Sequence, residues 1–133
     1  MTKALLPATA IIESATGIAL LAAPASLASI LLGAPLDTSA GLVVARLAGT
    51  ALLALGIAGW FGSRDAQSRT AAGLVAAMLL YNIAAVVLLV SARFCLGMTG
   101  MGLLPVAVLH TALAAWCVAG LRTAWLRGIL WKQ

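Results

Sequence analysis

The stretch Thr70–Ala92, TAAGLVAAMLLYNIAAVVLLVSA, carries no charge and a single amide, Asn82. Crossing a bilayer as a helix takes ~20 mostly apolar residues at 1.5 Å rise each, so this run is long enough to span. Three more uncharged runs accompany it, at 14–36, 47–63 and 94–121. Hydrophobic residues make up 64% of the 133, charged residues 8%, and the mean hydropathy is +1.15. An ordinary soluble domain is about 25% charged, and a soluble core cannot absorb that apolar surplus. The sequence therefore predicts an all-α integral membrane protein, a four-transmembrane-helix antiparallel bundle forming one domain over residues 1–133. The expected spans are 4–32, 41–61, 70–92 and 103–121, followed by an interfacial tail at 122–133.

The connections fit this reading. Gly33 and Pro35 form a stop signal after the first span, and Asp37, Thr38 or Ser39 offers a helix cap for the second. The polar loop Gly62–Arg69 is short, so the second and third spans are expected to form an antiparallel hairpin, with Ser68 or Thr70 as the cap. A glycine-rich turn at 93–102 leads to Pro105, which suits the first turn of the fourth span. Pro24 lies inside the first span and is expected to kink it. From Pro7 to Leu32 that helix is ~39 Å long by helical rise, longer than a ~30 Å hydrocarbon core, so it must tilt or bend. The first span has a basic start at Lys3 and small residues at Ala22–Ser26, as a signal peptide would. Glu13 would sit in the apolar core of such a signal, so a retained helix is expected.

A net charge of +5 and a pI near 10.3 would suggest nucleic acid in a soluble protein. With four crossings, however, Lys3, Arg64, Arg69, Arg122, Arg127 and Lys132 all fall on one side, and Arg93 on the other. Basic short loops stay cytoplasmic, so both termini are expected inside, in a multi-pass protein of a bacterial inner membrane with no nucleic-acid partner. Trp60 with Phe61, and Trp125 with Trp131, mark the inner interface.

Within the spans the ionisable residues are Glu13, Arg46 and His110. A charge at a helix centre costs roughly 2.5–3.5 kcal/mol on insertion scales, so each needs a reason. Measured from the inner edge, helical rise places Glu13 at ~10 Å, His110 at ~16 Å, Asn82 at ~18 Å and Arg46 at ~22 Å. The set reads as a polar ladder. Glu13 and Arg46 either reach toward each other as an ion pair, or Arg46 extends outward while Glu13 sits protonated among the helices. Asn82 and His110 share a depth at which an amide-to-imidazole hydrogen bond satisfies both. Tyr81, beside Asn82, is either core packing or a donor aimed at a ligand. Glu13, Arg46, Tyr81, Asn82 and His110 are thus the candidates for a ligand site or proton path.

Metal chemistry has two openings. Cys95, Met98 and Met101 form a CxxMxxM spacing, a soft donor set of the kind that favours Cu(I). His110 alone cannot supply both axial ligands of a bis-histidine haem within one chain, so haem would require a symmetric dimer or a methionine partner. Cys117 follows His110 by two helical turns, ~10 Å, which is too far to share one metal. Neither cysteine belongs to a CxxC pair. No HExxH, GxSxG or phosphate-loop motif occurs, and Glu13 has no second carboxylate inside a span.

Glu13-Ser-Ala-Thr-Gly17 followed by Ile18-Ala-Leu-Leu21, within four short helices with termini inside, resembles the DoxX-like small bacterial membrane proteins. That resemblance implies a compact four-helix bundle with redox or stress associations, and assigns no active residue. Three functions are compatible with the residues. The first is a non-catalytic accessory or interaction subunit of a membrane complex or homo-oligomer. The second is small-molecule or proton binding and transport through the bundle interior. The third is a quinone- or haem-linked redox protein. Convergence of the polar residues on one cavity favours the second.

Overall fold

The computed structural model describes residues 2–126 and Gly128, with side chains from Ala4 onward. Its elements are α1 (Thr2–Ala22), α2 (Pro24–Leu32), α3 (Ser39–Gly62), a 3-10 turn (Ser63–Asp65), α4 (Arg69–Phe94) and α5 (Leu103–Leu126). Among the described residues there is no strand. Four segments, Ala4–Ala22, Ser39–Asp65, Arg69–Phe94 and Leu103–Leu126, are long and apolar enough to cross a membrane. The expected interfacial tail is seen as a continuation of α5 to Leu126; Arg127, Trp131 and Lys132 lie outside the described residues.

Where the sequence reading has one helix over 4–32, the structure has two, α1 and α2, separated at Ala23. Ala23 leaves the helical region at φ −140°, ψ 59°. Pro24 explains the break: it lacks the N–H that would bond the Leu20 carbonyl, and its ring disfavours a helical residue before it. α2 then closes with Gly33 in the left-handed region, φ 71°, whose N–H bonds the Ser29 carbonyl. The other helix starts follow their caps. The Thr38 hydroxyl accepts from the Gly41 N–H at 3.1 Å, and the Ser68 hydroxyl from the Ala71 N–H at 3.1 Å.

Two tight helix pairs make the bundle. In the first, α1 and α3 approach so closely that a Cβ on Gly17 would lie 2.6 Å from the Gly49 carbonyl oxygen and 2.8 Å from the Leu53 nitrogen. Gly56 likewise meets Ser14, and Gly59 faces Leu6 and Ala10. Contacts therefore run in opposite chain directions, so the pair is antiparallel. In lipid the hydrophobic effect does not drive helices together, and small residues gain association through close van der Waals packing. In the second pair, α4 packs antiparallel on α5: Leu89 and Ala92 cluster with Leu103 and Ala107, and Asn82 meets His110.

Leu5 and Leu6 of α1 join the two pairs, packing with Ala71, Val75 and Met78 of α4 and Cys117 of α5. The start of α1, the 63–68 connection and the last part of α5 thus share one end of the bundle. At the other end the Gly102 N–H donates to the Ile30 carbonyl at 3.0 Å, tying α2 to the loop between α4 and α5. Large apolar side chains cover the outside: Val43, Leu47, Leu80, Leu88, Phe94 and Val108 are all well exposed. That is the surface hydrocarbon would solvate.

Candidate functional site

α1, α2, α4 and α5 line a partly open cavity of about 150 Å³. Ile12, Glu13 and Thr16 of α1 line it, with Leu27 and Leu31 of α2, Tyr81 of α4, and Val106, Leu109 and His110 of α5. On α1, α2 and α5 the lining includes pairs three or four apart, Glu13 with Thr16, Leu27 with Leu31, and Val106 with His110, the spacing that puts side chains on one face. The walls are mostly aliphatic, and the polar groups come from Glu13, Thr16, Tyr81 and His110. Thr16 is already engaged, its hydroxyl donating to the Ile12 carbonyl at 2.9 Å.

Asn82, fully buried, stands behind the cavity and fixes its histidine. The Asn82 Nδ2 donates to the Met78 carbonyl at 2.7 Å, and Oδ1 lies 2.7 Å from His110 Nδ1. A carbonyl can only accept, so the amide nitrogen must face Met78, and Oδ1 must face the imidazole. Nδ1 therefore carries the proton. In the neutral ring Nε2 is left with its lone pair, and it makes no hydrogen bond among the described residues. Tyr81 meets the same imidazole edge-on, with ring centroids 5.6 Å apart and an interplanar angle of 80°. Two contacts, one polar and one aromatic, thus hold the His110 ring in place.

Glu13 is the outlier. Only 1% of it is exposed, and its Oε1 has no hydrogen-bond partner. No cationic side chain pairs with it among the described residues. A buried polar atom without a partner costs about 1–3 kcal/mol, and such exceptions call for an explanation. The carboxyl shares the cavity wall with the Tyr81 ring and His110.

The five candidates of the sequence reading are thus divided. Glu13, Tyr81 and His110 meet at one cavity, with Asn82 bonded to the histidine behind it. Arg46 does not join them: it lies on the exposed side of α3 beside Val43, Val44 and Leu47, and makes no ion pair among the described residues. Of the two readings left open, the Glu13–Arg46 ion pair is absent. Reading charges and amides alone missed Ile12, Thr16, Leu27, Leu31, Val106 and Leu109. For Thr16 and Val106 the signal was present, as spacings of three and four residues from Glu13 and His110; Ile12 and Leu109 adjoin those residues in the chain, where spacing predicts no shared face. For the α2 residues there was no signal, because the break at Pro24 determines where they lie.

The soft donors are dispersed. Met98 packs against the Leu89, Ala92, Leu103 and Ala107 cluster, Met101 is 81% exposed, and Cys95 is exposed. Cys117 is fully buried. Among the described residues no three His, Cys, Asp or Glu side chains group to hold a metal ion. Comparison with protein-family models, with curated proteins and with solved structures finds no match for this chain.

Proposed function

We infer that the chain is a multi-pass protein of a bacterial cytoplasmic membrane, with both termini inside, whose bundle interior binds a small molecule. The convergence of Glu13, Tyr81 and His110 on one cavity carries this reading. A cavity of about 150 Å³ has the volume of one known to admit benzene. Its aliphatic walls suit an apolar body, and the Glu13 carboxyl and His110 Nε2 suit a polar end. The orientation rests on charge placement: Arg64, Arg69 and Arg122 lie at the end shared by the start of α1, with Arg93 at the other, and basic short loops remain cytoplasmic. The volume is below the roughly 300–1,000 Å³ of sites for drug-sized ligands, so a haem does not fit within these walls.

Ligand-detected NMR with monocyclic aromatic probes on the purified protein in micelles tests the reading. Binding to the native protein, lost in a Leu27→Trp variant that fills the cavity and still folds, is the expected result. Native protein that takes up none of the probes would refute it.

A second reading, an accessory subunit of a membrane complex, is favoured by Arg46. Arg46 is exposed on α3 beside Val43, Val44 and Leu47, without an ion pair among the described residues; its stem can carry the charge toward the headgroups, and a carboxylate on a neighbouring membrane helix would complement it at closer range. Crosslinking from Val43→Cys in native membranes separates the two: a specific adduct with another protein supports the subunit, and its absence removes the need for one.

A further inference from the structure

We propose that the Glu13 cavity binds a small primary ammonium ion with a ring-sized apolar body, in exchange for a proton on Glu13. This rests on the small-molecule reading above and specifies the ligand. The argument starts from the unpartnered Oε1 in a carboxyl that is 1% exposed. An ionised carboxylate alone in an apolar interior is too costly to persist, so it is neutralised. A proton does this when the cavity is empty; a cation placed against the oxygen does it when the cavity is filled. The two cannot both occupy the carboxyl.

The rest of the cavity selects the same chemistry. His110 Nδ1 is committed to Asn82, so Nε2 offers a lone pair. The ionised Glu13 offers acceptors only. A ligand complementary to this set brings donors, and an ammonium brings three together with the compensating charge. A neutral alcohol brings one donor and no charge. The titratable groups sharing the wall with Glu13 are Tyr81 on α4 and His110 on α5. α2 contributes Leu27 and Leu31, and the face of α3 packed on α1 carries Gly49, Leu52, Gly56 and Gly59, none of which titrates. The apolar wall of Ile12, Leu27, Leu31, Val106 and Leu109 receives the body of the ligand, and the Tyr81 ring is available to a cation.

The exchange balances simply. The Glu13 carboxylic acid gives its proton to solvent, and the ammonium takes its place against the carboxylate. No covalent bond forms other than that of the departing proton to water or buffer.

The test is titration calorimetry of benzylammonium and benzyl alcohol against the purified protein, in two buffers of different ionisation enthalpy. Benzylammonium is expected to bind with release of about one proton, so that its affinity rises about tenfold per pH unit while Glu13 is protonated in the empty protein. Glu13→Gln should lose both affinity and proton release, and Glu13→Asp should retain the release. The proton count on the native protein stands even if the glutamine variant does not fold. Benzyl alcohol bound as tightly as benzylammonium, with no proton released, would overturn the exchange while leaving the cavity as a binding site. Failure of both probes to bind would overturn the binding reading itself.

Discussion

Replacing Asn82 and His110, singly and together, measures the one buried side-chain hydrogen bond that joins two helices of this bundle among the described residues. Asn82→Leu removes the acceptor and leaves the His110 Nδ1–H, in a residue only 8% exposed, without a partner. His110→Phe leaves Asn82 Oδ1 stranded in a fully buried residue. An orphaned buried polar group costs about 1–3 kcal/mol, so each single change should destabilise by about 2 kcal/mol. The double variant has neither orphan and roughly conserves shape, a kind of swap that costs less than about 1.5 kcal/mol at each site. Its cost should therefore fall near 2 kcal/mol and not near 4, a coupling at or above the ~1.7 kcal/mol maximum measured between membrane helices. Reversible unfolding by dodecyl sulfate from mixed micelles, followed by tryptophan fluorescence, gives the four values needed. Additive single costs, with a double variant near 4 kcal/mol, would refute the bond as the element holding His110. Nitrogen-15 chemical shifts of the labelled histidine provide an independent check: the Nδ1–H tautomer is expected, and an Nε2–H tautomer would contradict the amide orientation.

Two further outcomes follow from the packing. Gly17→Ala should cost about 1–3 kcal/mol in the same assay, because its Cβ would meet the backbone of α3 at 2.6 Å, which only separation of the helices relieves. Gly73→Ala has nothing within 4 Å of the new Cβ and should be neutral or stabilise by up to ~1 kcal/mol through helix propensity; equal costs at both glycines would show that the seam is not close-packed. In intact cells a membrane-impermeant maleimide should label the exposed Cys95 and spare the fully buried Cys117. In a Cys95→Ser background Gln67→Cys should react only in inverted vesicles, and labelling of Gln67→Cys from outside would reverse the topology.

The architecture was legible because it rests on run lengths and punctuation. The run over 70–92 became α4, and Thr38 and Ser68 capped the helices that they precede. The break at Ala23 was half legible: Pro24 announced a disturbance, but how far the chain departs there depends on what the following turns can pack against. Here α2 gains the Gly102–Ile30 hydrogen bond and the close approach of Gly33 to Gly100, contacts with a loop far along the chain. The depth arithmetic set Glu13 and His110 on separate rungs of a ladder, ~6 Å apart by helical rise, yet the two side chains line one cavity. Rotation about each helix axis was not legible, and rotation decides whether two residues at neighbouring depths share a cavity.

Arg46 and Glu13 illustrate that point most clearly. By charge and burial cost the sequence ranks them alike. The buried stripe of α3 runs through Gly49, Leu52, Gly56 and Gly59; one turn back it reaches Ala45, which is half-buried, while Arg46 is exposed. Arg46 also lies seven residues from the start of α3, ~10 Å along the axis, and a long flexible stem can carry its charge toward the headgroups. Glu13 has no such escape. It lies eleven residues from Thr2 and nine from Ala22, ~14–16 Å from either end of α1, on a side chain two methylenes long. An arginine near a helix end can meet its solvation requirement in the interface, so its presence says little about the interior. A carboxyl at mid-helix, turned inward, can meet it only from within the bundle, and among the described residues the polar side chains sharing the Glu13 cavity are those of Thr16, Tyr81 and His110.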